Sequence, residues 1–317
     1  MNTGAQTIDW LFREQLKVDA EWSERTPNGF RWWADRNAQT IEVIGQETGP
    51  DGEIGHFIAV RTELLRGLRM GDRERAVINA LLMRFASMAG PVHDEDSGTL
   101  SLCSLVRVYD EISAWMNPII SVAAVLQIGE ARLMGPELAR TLGAEEALSG
   151  PPRRGLRPEP DEMAEIIGAF IAPEGLAPSR WSETEFQAAV DDYMDRPPAL
   201  LASGGGPGFT VEFPYGDRSS LCRAMADQPH PRDGNGLLLV QSFPVPGQSD
   251  SEGAELALAL NATELCEWPF GYGFGSYATS DGMLHFSCFL PNALYRPGLL
   301  PNLYYSCAQR TREVSAI

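Results

Sequence analysis

Lysine is almost absent from this chain. Of its 25 basic residues only Lys17 is a lysine, and the other 24 are arginines. A phosphate-binding Gly-rich loop, a Schiff-base enzyme and a Ser-x-x-Lys hydrolase each need a lysine at a fixed place. Lys17 stands in none of those contexts, so these three classes are set aside. Histidine is scarce too (His56, His93, His230 and His285), and no His-x3-His or Cys-x2-Cys spacing supplies the local ligand pairs of a zinc site. The five cysteines, Cys103, Cys222, Cys266, Cys288 and Cys307, are odd in number, and most lie in apolar segments. They read as reduced, buried thiols of a cytoplasmic protein. No positive stretch followed by an apolar run opens the chain, so no secretory signal is expected. The longest apolar runs, such as Ile119–Leu126, fall short of the roughly 18–20 residues that span a bilayer.

What is abundant is acid. The 317 residues carry 43 acidic side chains and a net charge of −18. Residues 1–150 hold 22 acids and 14 bases, residues 151–317 hold 21 and 11, so the acidity is spread over both halves. Such a surface repels phosphate backbones and anionic lipid, and suits a basic or unfolded peptide.

The organisation is a pattern stated twice. The clearest break is the proline-rich stretch from Ser149 to Pro160, with a short apolar helix expected over Met163–Ile171 before Pro173 and Pro178. It separates an N-terminal domain, 1–148, from a C-terminal domain, 181–317, with 149–180 as the linker. Each block opens with an amphipathic helix: Ile8, Leu11, Phe12 and Leu16 in the first, and Phe186, Ala189, Val190 and Tyr193 behind a Ser182-x-x-Glu185 cap in the second. Strand-like segments follow, Phe30–Ala34, Thr40–Ile44 and His56–Thr62 against Phe209–Phe213, Ser220–Met225 and Leu237–Phe243, with Asp51-Gly52 as a turn. A central helix comes next in each, running from Asp72 past Ala76 to Met88 and from the Ser249–Glu252 capping box past Ala254 to Leu265. Asn79-Ala80 and Asn261-Ala262 lie 182 residues apart. The hairpin turns at Asp96-Ser97-Gly98 and Ser280-Asp281-Gly282, and the final helices opening at Pro118 and Pro301, keep nearly the same offset. Runs of strands with separate helices predict an α+β fold with antiparallel sheets.

This order, on the opening helix Ile8–Trp22, the aromatic strand Phe30-Arg31-Trp32-Trp33-Ala34 with Thr40-Ile41-Glu42-Val43 after it, and the helix–hairpin–helix units 73–134 and 250–315, resembles the type III secretion chaperone and YbjN-like superfamily. The likeness is to its tandem, TY-Chap-type peptide-binding domains. The resemblance implies two domains, each helix–three strands–helix–two strands–helix, and a non-enzymatic role in holding an extended or unfolded segment of a protein partner. Two copies in one chain imply a monomer built as an internal pseudo-dimer, or a weak homodimer.

Catalytic and metal-binding patterns are weak. His285 lies near Ser287 and Cys288, but strand alternation points Cys288 the other way. Asp94-Glu95-Asp96 lacks the spacing of a calcium loop and reads as a hairpin tip, while Asp110-Glu111 and Asp191-Asp192 read as exposed faces. Gly204-Gly205-Gly206-Pro207-Gly208 runs into a strand, not a helix, and has no lysine nearby, which does not suit a phosphate. Gly273-Phe274-Gly275-Ser276-Tyr277 fails the Gly-x-Ser-x-Gly pattern. No cofactor and no metal are expected.

Aromatic residues are the remaining candidates. Trp32 and Trp33 are consecutive and would face opposite sides of a strand, so one needs a second layer or a partner. Trp268, Phe270, Tyr272 and Phe274 crowd seven positions around helix-breaking residues. These six are the candidate partner-binding residues; the other reading of the second cluster is that it joins the two repeats. The expected function is thus a non-enzymatic escort or adaptor for a peptide segment. The alternatives are a small-molecule hydrolase or transferase built on carboxylates and arginines, and a structural subunit of a complex.

Overall fold

The computed structural model describes residues 2–49, 52–171, 181–191, 207–245, 247 and 249–316. In chain order the elements are α1 (Thr3–Trp10), β1 (Ser23–Thr26), β2 (Gly29–Trp32), β3 (Gln39–Thr48), β4 (Ile54–Arg66), α2 (Asp72–Leu82), β5 (Gly90–Asp94), β6 (Thr99–Val108), α3 (Asp110–Leu142), β7 (Glu145–Glu146) and α4 (Glu162–Ile171). The second half adds α5 (Glu183–Asp191), β8 (Gly208–Tyr215), β9 (Arg218–His230), β10 (Gly234–Pro244), α6 (Asp250–Ala262), β11 (Ser276–Ser280), β12 (Met283–Pro291) and α7 (Leu299–Val314). Among the described residues this is a mixed α+β chain with seven α-helices and two antiparallel sheets. Both α1 and α6 run directly into a single π-helical turn, Leu11–Gln15 and Thr263–Glu267.

The helix starts follow from local chemistry. Ser249 accepts from the Glu252 amide while the Glu252 carboxylate accepts from the Ser249 amide, the reciprocal cap that satisfies two orphan donors. Ser182 and Glu185 do the same at the start of α5. The helix expected to begin at Pro118 begins at Asp110 instead and continues through both Pro118 and Pro136 to Leu142. Each proline removes one hydrogen-bond rung, but the helix is held down by its buried face, which includes Ile119, Ile120, Ala123, Ala124 and Ile128. By length and composition α3 could cross a bilayer; half of its apolar stretch is packed inside the fold.

The first sheet has the order β1-β2-β3-β4-β6-β5, with β7 paired on β4, and the second has the order β8-β9-β10-β12-β11. From β2 and from β8 onward the two orders are the same. Strands β4 and β6 are buried on both faces, which an outer strand of a half-wet sheet would not be. Alternation sorts their side chains. Ile58, Val60, Val106 and Val108 join the core under α1 and α3, while Phe57, Ala59 and Leu105 form a separate small cluster on the opposite face. The stretch following α6 covers that opposite face.

The stretch expected as a linker is fastened to the first half. Ser149 N donates to Arg36 O at 2.7 Å, Asp161 N donates to Ala34 O at 2.6 Å, and Arg157 Nη1 donates to Trp33 O at 2.9 Å. The short apolar helix is α4, lying against α3 with an Arg132–Glu165 ion pair at 2.8 Å. Tyr193, Asp192, the Gly204–Gly206 run, Asp51, Pro173 and Pro178 lie outside the described residues.

Candidate functional site

The six aromatic candidates divide by burial. Trp32 is fully buried, and its indole N–H donates to Gln39 Oε1 at 2.7 Å. Gln39 passes the chain on to Thr62 Oγ1 and to the Ala124 carbonyl, and Thr62 bonds Gln127. Trp33 also needs its second layer, and the 149–157 stretch supplies part of it: Trp33 Nε1 donates to Ser149 Oγ at 3.0 Å and Arg157 bonds the Trp33 carbonyl. Phe270 and Phe274 are core residues, 4% and 3% exposed. Their burial corrects the expectation that Trp32, Trp33, Phe270 and Phe274 offer a surface to a partner. Trp268 and Tyr272 keep exposed area, but both rings reach across to the first half, Trp268 edge-on to Phe57 and Tyr272 edge-on to Trp115.

The segment from 263 to 274 is therefore the seam between the halves. Leu105 and Gly273 exchange backbone hydrogen bonds at 3.3 and 2.9 Å, which only a glycine permits, since a Cβ on Gly273 would lie 2.5 Å from the Leu105 carbonyl. A second bridge runs from Phe289 N to Ser87 O at 3.3 Å. Phe289 and Leu105 are 184 residues apart, Gly273 and Ser87 are 186 apart, so the two bridges occupy corresponding places in the repeated pattern. The paired asparagines meet one strand, β11, along the same edge: Asn261 brackets the backbone of Tyr277, and Asn79 from the first half brackets that of Thr279, the latter at 2.7 and 2.8 Å. Beneath the seam Glu264 and Arg310 form a fully buried ion pair at 2.6 Å, with the Tyr277 hydroxyl donating to Glu264 and the Arg310 guanidinium 3.6 Å above the Phe286 ring. Burial works against the Arg310 charge, but Glu264 outweighs it and holds the guanidinium charged more firmly than in water.

The open concave site lies elsewhere. Between α2, the β4–β6 sheet and α3 is a cavity of about 340 Å³ walled by Leu64, Leu100 and Leu102 from the sheet, Ile78, Leu81 and Leu82 from α2, and Met134 and Leu138 from α3. Phe85 and Leu133 line it while remaining 41% and 61% exposed, and the neighbouring Met83 is exposed as well. Its polar end is Ser87, Glu130 and Arg232. Glu130 is buried, accepts from Ser87 Oγ at 2.6 Å and pairs with Arg232 at 3.0 Å. Burial raises the Glu130 pKa, and Arg232 opposes that rise. A second cavity of about 350 Å³ on the other side of α3 shares Glu130, Leu133 and Arg232 and is closed by Ala164 and Gly168 of α4. The two hollows thus flank one helix and meet at one ion pair, whose arginine comes from the turn between β9 and β10. Its signal in the sequence is a carboxylate, Glu130, amid the apolar run that follows Ile119.

The other sequence candidates for chemistry stand apart from these cavities. His285 contacts Ser242 and Ser280, with burial lowering its pKa. Cys288 faces the core, where burial pushes its thiol up to about 12. Asp94 accepts from the Asp96 and Ser97 amides, a hairpin turn. Among the described residues no group of three or more His, Cys, Asp or Glu side chains is placed to hold a metal ion. Compared with known proteins, the chain matches no family model, no curated protein and no solved structure.

Proposed function

We propose that this chain is a non-catalytic peptide-binding protein, an escort or adaptor that receives an extended apolar segment of a protein partner along α3. The carrying observation is the aliphatic cavity beside α3 with Phe85 and Leu133 exposed at its rim. A volume of about 340 Å³ is at the small end of ligand sites and suits one or two large side chains. Met134 in the α3 wall is a flexible side chain that adapts to varied shapes. The net charge of −18 favours partners with basic residues flanking the apolar anchor. The same reading takes the repeat as two secretion-chaperone-like domains joined as an internal pseudo-dimer. The shared strand order and the two corresponding seam bridges support it.

Burying one large apolar side chain contributes about 1.5–3 kcal/mol, a factor of roughly 10–100 in affinity. Ala89→Leu, which fills the cavity from a wall residue, and Leu133→Arg, on its exposed rim, are each expected to weaken binding of fluorescent apolar-basic peptides at least about tenfold. Equal affinity in both variants, with the fold intact, overturns the assignment. A second reading is favoured by one observation, the raised Glu130 carboxyl beside Arg232 at the end of a cavity, which is how an acid–base group of a small-molecule enzyme is tuned. A substrate turned over by the wild type and not by Glu130→Gln would establish it.

A further inference from the structure

The seam also holds a pair of thiols. Arg61 on β4 and Cys103 on β6 are register partners, so their side chains leave the same face of the sheet, the one turned toward the 263–274 segment. Cys266, in the π-helical turn after α6, meets both of them. The turn packs on β6, and Leu265 lies against Gly90, the register partner of Cys103 on β5, so Cys266 sits over the sheet face that carries Cys103 and Arg61, and the three groups act on one another electrostatically. Exposure separates the roles. Cys103 is 1% exposed, while Cys266 is half-buried next to exposed Glu267 and Trp268, and Arg61 is exposed. A small solute can reach Cys266 and cannot reach Cys103. The hydrogen bond with Cys103, and then the Arg61 charge, bring the Cys266 thiol down to about 7 against the opposing effect of burial. The same hydrogen bond, followed by burial, pushes Cys103 up. Cys266 is therefore the sulfur that ionises first and the one that solvent meets.

We propose that Cys266 and Cys103 form a peroxide-sensitive dithiol, in which Cys266 is attacked first and Cys103 resolves it to a disulfide that staples the two halves across their seam. The Cys266 thiolate attacks one oxygen of hydrogen peroxide. An S–O bond forms, the O–O bond breaks, and hydroxide leaves and takes up the proton that Cys266 released, so the sulfur becomes a sulfenic acid. Cys103 then attacks that sulfur. The S–S bond forms, the S–O bond breaks, and the departing hydroxide takes the Cys103 proton as water. Two thiols and one peroxide give one disulfide and two waters. Arg61 stabilises the attacking thiolate from the exposed side.

The fold contains its own control. Cys222 on β9 and Cys307 on α7 form a second hydrogen-bonded thiol pair, and Cys307 is likewise lowered by its partner. Both are fully buried, so peroxide has no approach to them.

The test is peroxide titration of the purified reduced chain at pH 7, alkylation of the remaining thiols, and peptide mapping by mass spectrometry. The expected product is an intramolecular Cys103–Cys266 disulfide, formed while Cys222 and Cys307 stay reduced. Cys103→Ser should leave a sulfenic acid at Cys266 that dimedone captures, and Cys266→Ser, at a half-exposed position, should abolish the reaction. Arg61→Ala should slow oxidation at pH 7 by about two- to fivefold, because the thiolate fraction of Cys266 falls. Oxidation of Cys266 no faster than that of Cys222 and Cys307, or a Cys103→Ser chain with no trapped sulfenic acid, overturns the proposal.

Discussion

Glu264→Gln removes one charge from the most deeply buried ion pair among the described residues. Glu264 accepts from Arg310 Nη2 at 2.6 Å and Nε at 3.0 Å and from the Tyr277 hydroxyl at 2.6 Å, and both charged side chains are essentially inaccessible. Arg310 has other contacts, the Tyr272 carbonyl at 3.3 Å, Gln241 Oε1 at 3.5 Å and the Phe286 ring, but no second carboxylate among the described residues. Losing the Glu264 charge therefore leaves a guanidinium in an apolar surround, and such losses cost about 3–5 kcal/mol. Arg310→Met should cost a similar amount by stranding Glu264. The double replacement Glu264→Leu with Arg310→Met leaves no buried charge. It still strands the Tyr277 hydroxyl and the Tyr272 carbonyl, worth about 1–3 kcal/mol for such unpaired groups. The double variant is thus expected to be more stable than either single one. Urea unfolding of the four proteins gives the cycle. Additive losses in the double variant, or single losses under about 1 kcal/mol, refute the reasoning, because the pair would then be reached by water.

Asn79→Ala strips Thr279 of both backbone partners across the seam and should cost about 1–3 kcal/mol in urea unfolding, with Asn261→Ala showing a similar loss at Tyr277. Trp33→Ala, at a buried ring, should cost about 3–5 kcal/mol. Trp268→Ala, at a ring still 42% exposed, should cost clearly less, so equal losses in thermal melts would contradict this placement. Burial lowers the His285 pKa below its ordinary 6.5, so the unfolded chain takes up the proton first as pH falls. Stability is then retained above about 6.5 and lost as pH drops toward the folded value, and a His285→Asn variant should flatten that part of the stability–pH curve.

Much of the architecture was legible in residue patterns. Alternating strands, the Ser249–Glu252 and Ser182–Glu185 caps and the turn residues at Ser280-Asp281-Gly282 are local devices, and each element forms where its residues call for it. The strand order that the two sheets share from β2 and from β8 onward was not legible there, since pairing is set between strands and not along them. Local patterns misplace the start of α3, because a proline reads as a helix start while tertiary packing here carries the helix through it. They also misassign the aromatics. Trp32 and Phe270 look alike in sequence whether they meet a partner or a core, since large apolar surface must be buried in either case.

By itself the sequence determined the mixed α+β class with antiparallel sheets, because this depends on periodicity and composition that every neighbour along the chain shares. Only the tertiary structure decided which face of each sheet is covered by the other half. It alone brought Glu130 to Arg232, and Cys103 to Cys266 under Arg61. Those pairings join residues more than a hundred positions apart, and what sets them is how the two halves close on each other, which no local pattern records.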